Sequence, residues 1–194
     1  SFMPWLVGTA LVHSLAVTEK RGAFKAWTVL LAIMAFSLSL LGTFLVRSGV
    51  LSSVHAFATD PRRGLFILAF LVIVVGSSLL LYAWRASQVG LGQRFGLVSK
   101  ETMLLSNNML LAAACGAVLL GTLYPLFLDA MGMGKISVGP PYFDVVFTAL
   151  MAPLVFLTAV GPLTRWKGDE VPAMAKRLRV AGVVTVLAAG LTAL

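Results

Sequence analysis

The sequence has little charge, few histidines and almost no cysteine. Charged residues make up 11% of its 194 residues, whereas a soluble domain carries about a quarter. The single cysteine, Cys115, excludes an intramolecular disulfide and metal sites built on cysteine pairs. Because no Cys-x-x-Cys-His motif is present, covalent attachment of a c-type haem to this chain is excluded as well.

Hydrophobic residues make up 59% of the chain and occur in long runs. A bilayer core needs roughly 20 apolar residues for each spanning helix. Strands of a transmembrane barrel would alternate polar and apolar residues, and these runs do not. The pattern predicts an all-α fold, a polytopic bundle of about six membrane segments in a single domain over residues 1–194. The segments are Phe2–Val17, Ala26–Val46, Gly64–Trp84, Met103–Leu128, Tyr142–Leu163 and a run from Val180 onward.

The first residue is not methionine, and both ends of the sequence fall in or beside apolar runs. We therefore expect an internal piece of a longer protein. No secretory signal peptide is recognisable at the start, because a basic stretch and a small-residue cleavage site are both absent from it.

Lysine and arginine are distributed unevenly between alternate loops. Eleven lie in the links at about 18–25, 85–102 and 164–179, and four lie in the loops at about 47–63 and 129–141. The positive-inside rule places the three links in the cytoplasm and the two loops on the outer face. The excess of 15 basic over 7 acidic residues thus indicates topology and contact with acidic membrane lipid, and no nucleic-acid partner is expected.

The two histidines are the candidate site residues. His13 lies inside the first apolar segment, where an ionisable side chain is costly and usually functional. It suits a proton relay or axial ligation of a haem between helices, but a hydrogen bond to a neighbouring helix or snorkelling also explains it. His55 lies in an outer loop, either as an exposed residue or as a ligand or acid/base. Ser52 and Ser53 beside it complete no hydrolase triad.

Other polar residues lie at the segment ends. Arg47, Arg62 and Arg63 flank the His55 loop, where they either bind carboxylates such as haem propionates or anchor their helices at the interface. Asn107 and Asn108 open the fourth segment and predict hydrogen bonds between helices.

Several stretches of the sequence resemble the CcmF family of cytochrome c-type biogenesis proteins. The resemblance covers nearly the whole sequence, although the tryptophan-rich motif of that family is absent from it. The matching stretches are FMPWLVGTALVHSLAVTEKRGAFK at 2–25, LGTFLVRSGVL at 41–51, SVHAFATDP at 53–61, SKET at 99–102, GKISVGPPYF at 134–143 and GPLTRWK at 161–167.

This resemblance implies a haem lyase of the holocytochrome-c synthase type in the bacterial inner membrane. Such a protein takes haem from the haem chaperone CcmE and attaches it to apocytochrome c on the outer face, beside maturation subunits such as CcmH. By motif, His13 is implied as an iron ligand of a membrane-embedded haem b. His55 is implied as an iron ligand of a transiently bound substrate haem. The second ligand of each haem would lie outside this sequence, which alone is expected to be inactive.

Three further functional hypotheses accompany this resemblance. In the first hypothesis, the membrane haem passes electrons from quinol to the outer haem. A transporter of haem or another small molecule is the second, and it predicts Gly- or Pro-broken helices at matching positions of two halves. Pro125 and Pro153 lie in adjacent segments without a clear repeat. A non-catalytic scaffold is the third, and it predicts that changing either histidine leaves the haem content unchanged.

Overall fold

The computed structural model describes residues 2–48, 61–90, 92–134 and 136–192. Within these ranges the chain forms six α helices, so the predicted all-α fold is confirmed. The helices are α1 (Phe2–Arg21), α2 (Lys25–Arg47), α3 (Pro61–Val89), α4 (Lys100–Ala130), α5 (Pro140–Val160), which continues into a 3₁₀ turn (Gly161–Leu163), and α6 (Val171–Thr192).

Four of these helices, namely α2, α3, α4 and α5 with its 3₁₀ turn, are long and apolar enough to cross a membrane. The chain is therefore a multi-pass membrane protein. The sequence predicted about six membrane segments, and α1 and α6 are not among the four. Both helices contain charges that lower their hydropathy, which are Glu19, Lys20 and Arg21 in α1 and Lys176, Arg177 and Arg179 in α6.

The helices extend beyond the apolar runs. α1 continues to Arg21, and α6 begins at Val171, so the predicted link at 164–179 is helical over its second half. α4 begins at Lys100 because Ser99 caps it, its hydroxyl oxygen accepting a hydrogen bond from the Thr102 N–H at 3.2 Å. Hydropathy marks only the lipid-compatible part of each helix, and at the start of α4 the cap adds a polar turn to it.

The least apolar of the first five helices, α1, lies at the centre of the packing. It packs against both α2 and α4, while α3 packs against α2 and α5 packs against α4. The reason is a stripe of buried residues spaced three or four apart along α1, namely Met3, Leu6, Val7, Ala10, Ser14 and Val17. The residues of this stripe from Met3 to Ala10 pack against Leu31 and Leu38 of α2 and against Leu111, Ala114 and Cys115 of α4.

The three predicted cytoplasmic links meet at one end of the bundle, which we call the inner end. The rings of Phe24 and Phe95 pack edge to face, with their centroids 5.6 Å apart. The Gly96 N–H donates a hydrogen bond to the carbonyl oxygen of Lys167 at 2.7 Å. The links thus lie on the same side of the membrane, as alternate loops of a polytopic protein must, while the assignment of that side to the cytoplasm stays a prediction.

Candidate functional site around His13

His13 lies on α1 beside the buried stripe, and its side chain is partly buried. The next residue, Ser14, is fully buried and shares a hydrogen bond of 2.7 Å with the hydroxyl of Thr28 on α2. One turn further along α1, the Thr18 hydroxyl lies 2.8 Å from the same oxygen. Hydroxyl groups therefore join α1 to α2 at this depth, and His13 contacts α4 instead.

The contact to α4 is made through one imidazole nitrogen. Nδ1 of His13 lies 2.9 Å from Nδ2 of Asn107, whose side chain is only 6% exposed. Among the described residues no hydrogen bond reaches Nε2 of His13. The prediction that Asn107 and Asn108 bond between helices is confirmed for Asn107 but not for Asn108. Its neighbour Asn108 is fully buried, and neither polar atom of its side chain has a partner in the part of the chain that the structure describes.

His13 also lines a cavity of about 320 Å³ between α1, α4 and the end of α5, which we call the His13 cavity. Its volume lies at the lower end of the range of about 300–1,000 Å³ that is typical of ligand pockets. An imidazole and one ammonium group face a space that is otherwise mainly apolar. The other lining residues are Lys100, Met103, Leu104, Asn107, Leu157, Thr158, Gly161 and Pro162.

The cation of the cavity, Lys100, is held at the inner end by an aromatic ring. Its Nζ atom lies 5.5 Å from the centre of the Trp166 ring, and Nζ of Lys20 lies 5.9 Å from the same ring. Such cation–π contacts stabilise an ammonium without neutralising it. The Lys100 N–H also donates to the carbonyl oxygen of Arg165 at 2.9 Å. These two contacts fix the position of Lys100 at the cavity.

Below the cavity, a fully buried carboxylate joins α1, α4 and the link at 164–170. Glu101 accepts a hydrogen bond from Nε of Arg21 at 2.9 Å, and its two oxygens accept from the Lys167 N–H at 3.1 and 3.0 Å. Lys167 adopts φ = 72°, a left-handed conformation that non-glycine residues rarely occupy. The hydrogen bonds from the Lys167 N–H to Glu101 hold Lys167 in this strained conformation.

A second ion pair anchors α6 to the same link. Two nitrogens of the Arg177 guanidinium donate to the two oxygens of Asp169 at 2.8 and 2.9 Å, and Nη1 also donates to the Leu163 carbonyl oxygen. These hydrogen bonds from Arg177 hold the pKa of the Asp169 carboxyl below its usual range and raise the pKa of Arg177. The sequence interpretation treated Arg177 as a topology charge only and missed this pair.

His55 lies outside the described residues, so its role stays a prediction. Arg47 ends α2 with an exposed side chain, and Arg62 and Arg63 lie exposed in the first turn of α3. These three arginines therefore lie at the helix ends that border the His55 loop, as the sequence predicted. Within the described ranges no group of three or more His, Cys, Asp or Glu residues could hold a metal ion, and His13 is the one histidine there.

Known proteins share this arrangement of segments. Residues 1–52 match the family model described as "Cytochrome C assembly protein". A cytochrome c-type biogenesis protein CcmF of Pseudomonas aeruginosa is 69% identical over 86% of this chain, and that of Escherichia coli is 59% identical over 96%. The sequence belongs to the CcmF family. It spans only 25% and 29% of the length of these two relatives.

The fold matches a solved structure as well. A cytochrome c haem lyase, CcmF, superimposes with a TM-score of 0.67 and 28% sequence identity, over 96% of this chain and 27% of the other. The match includes the helices that form the His13 cavity, because it covers almost the whole chain. The resemblance seen in the sequence is thus confirmed at the level of the family and of the fold.

Proposed function

We propose that this sequence forms part of a haem lyase and that His13 ligates the iron of a membrane-embedded haem b. One observation carries the proposal. His13 lines a largely apolar cavity among membrane helices, one of its nitrogens is bonded to Asn107 at 2.9 Å, and no hydrogen bond from a described residue reaches the other. A neutral imidazole whose Nδ1–H donates to the carboxamide oxygen of Asn107 has a lone pair on Nε2, which is what an axial haem ligand requires.

The residues of the cavity fit a haem. Met103, Leu104 and Leu157 offer apolar walls for a porphyrin, and Lys100 offers a positive charge for a propionate. The cavity volume of about 320 Å³ accommodates part of such a ligand, and since the chain spans about a quarter of its relatives' length, the rest of the protein would supply the opposite wall and the second axial ligand. When bound, the haem would supply one-electron chemistry, and quinol is the electron donor that we propose for it.

We further propose that α1 crosses the membrane with the four more apolar helices. It packs against α2 and α4, both of which are long and apolar enough to span. A helix enclosed in this way can carry His13, Ser14 and Thr18 because its neighbours shield these groups from lipid. With α6, this gives the six segments expected from the sequence, in the bacterial inner membrane.

On the outer face, we propose that His55 ligates the iron of the substrate haem. The haem would be delivered by CcmE and attached to apocytochrome c, with CcmH as a further partner. Support comes from the family, whose relatives are cytochrome c-type biogenesis proteins, and from the three arginines at the helix ends beside this loop. Arg47, Arg62 and Arg63 would bind the propionates or anchor the helices, as proposed from the sequence.

The test compares the full-length protein with its His13→Ala and His55→Ala variants. A pyridine-haemochrome assay measures bound haem b, and an optical titration measures capture of added haem. His13→Ala should lose the b-type signal alone, and His55→Ala should lose haem capture alone. Val12→Ala, which changes an exposed neighbour on α1, is the matched control and should lose neither.

Two outcomes would contradict the proposal. Unchanged haem content and capture in both histidine variants would favour the scaffold hypothesis. An unchanged rate of reduction of the outer haem by quinol in His13→Ala would refute the electron-transfer role while leaving ligation to be judged by the spectrum.

A further inference from the structure

We infer that Asn107 is a positioning residue that selects the tautomer of His13 and thereby makes its Nε2 atom a ligand. The inference rests on the proposed ligation by His13 and adds a residue to it. The observation is the contact of 2.9 Å between Nδ1 of His13 and Nδ2 of the Asn107 carboxamide, two side chains 94 residues apart in the sequence. A half-turn of the carboxamide exchanges its nitrogen and oxygen and keeps the contact.

A neutral imidazole has one nitrogen that donates and one that accepts a hydrogen bond. In the orientation that the structure records, the carboxamide NH₂ of Asn107 faces Nδ1 and donates to it, so the ring proton is on Nε2 and Nε2 has no lone pair for iron. If the carboxamide is turned by 180°, its oxygen accepts from Nδ1–H, and Nε2 is free to bind. The two orientations of one side chain thus correspond to a non-binding and a binding tautomer of His13.

The surroundings of Asn107 make this selection effective. Its side chain is 6% exposed, so little water competes for the bond. The registers of α1 and α4 are fixed nearby by a second polar contact, because Arg21 and Glu101 are joined at 2.9 Å between the same two helices. Two contacts along one interface prevent α1 from turning His13 away from α4.

The chemical nature of the partner also matters. The oxygen of a carboxamide accepts a hydrogen bond from Nδ1–H and adds no negative charge beside the imidazole. A carboxylate at the same place would make His13 a more basic ligand and would stabilise ferric iron, which lowers the reduction potential. An apolar residue would leave Nδ1–H without an acceptor, which weakens the ligand and raises the potential. Asparagine is therefore expected to set an intermediate potential.

The test uses full-length protein carrying Asn107→Asp or Asn107→Leu. Haem b content is measured by pyridine haemochrome, haem affinity by titration of the haem-depleted protein, and the midpoint potential by spectroelectrochemistry. We expect a lower potential in Asn107→Asp, a higher potential in Asn107→Leu, and a loss of haem affinity of roughly 10- to 100-fold in the latter. Asn107→Asp is nearly isosteric and reports the effect even if Asn107→Leu fails to fold.

The matched controls are Asn108→Asp and Asn108→Leu, which change the same residue type at the next position of α4, where no described partner exists. They should leave the potential unchanged. Equal shifts in the Asn107 and Asn108 variants, a shift of the wrong sign in Asn107→Asp, or an unchanged potential in both Asn107 variants would overturn the inference. A b-type spectrum that survives in His13→Ala would instead refute the ligation itself, so the two failures are distinguishable.

Discussion

Removing the carboxylate of Glu101 should release the link at 164–170 from the bundle. Glu101 is fully buried, and its partner Arg21 has a side chain that is 15% exposed. Glu101→Ala would leave the Arg21 guanidinium and the Lys167 N–H without their acceptor. Breaking a buried ion pair costs about 3–5 kcal/mol, and we expect about 3 kcal/mol because Arg21 can regain some water. Lys167 would then relax from φ = 72°.

Trypsin measures this release directly, because it cleaves after Arg165 and Lys167 within the link. When opening is fast relative to cleavage, the cleavage rate follows the population of the open form. A loss of about 3 kcal/mol should therefore raise the rate on the order of a hundredfold. Fragments identified by mass spectrometry report the site, and Glu19→Ala, which removes an exposed carboxylate from α1, is the matched control.

The double variant Arg21→Ala with Glu101→Ala separates the ion pair from other effects of the substitution. It should be cleaved more slowly than Glu101→Ala alone, because no unpaired guanidinium is left behind. An increase of less than about tenfold in Glu101→Ala, which is equivalent to about 1.4 kcal/mol, would refute the reasoning.

Two further substitutions test the packing and the α6 anchor. Asp169→Asn should lower the thermal stability in detergent at neutral pH and should match the wild type in acid. The pKa of Asp169 is lower in the folded than in the unfolded protein, so its contribution to stability is present above the unfolded-state pKa and is lost as the pH falls through the folded-state pKa. An equal loss of stability at both pH values would contradict this. Gly121→Val should lower the free energy of unfolding by about 1–3 kcal/mol, because a Cβ at Gly121 would lie 2.9 Å from the Phe143 ring. Gly116→Val should lower it less, because nothing lies within 4 Å of a Cβ at Gly116. Equal thermal stability of the two glycine variants would count against close α4–α5 packing.

The sequence predicted the helical class and the approximate place of every helix, because a bilayer requires long apolar runs. It did not predict that α1 is central. Hydropathy ranks α1 below its neighbours, yet Met3, Leu6, Val7 and Ala10 are all buried in the core that α1 shares with α2 and α4. Which helix becomes the centre depends on packing between distant segments, and such packing leaves no mark on local hydropathy.

The candidate site was predicted in part. His13 was found because a histidine within an apolar run is rare, and Asn107 was expected to bond between helices. Their pairing could not be foreseen, since 94 residues separate them. Glu101 was missed altogether. The sequence placed it in the polar link at about 85–102, before the fourth apolar segment, and only the fold shows that it is buried between Arg21 and Lys167.

The most direct measurement of the central claim is imidazole rescue of a His13→Gly variant of the full-length protein. The proposed ligation predicts that the b-type optical spectrum is lost in this variant and is restored by added imidazole, which can occupy the space of the missing ring. A b-type spectrum that is unchanged in His13→Gly without imidazole would contradict ligation by His13.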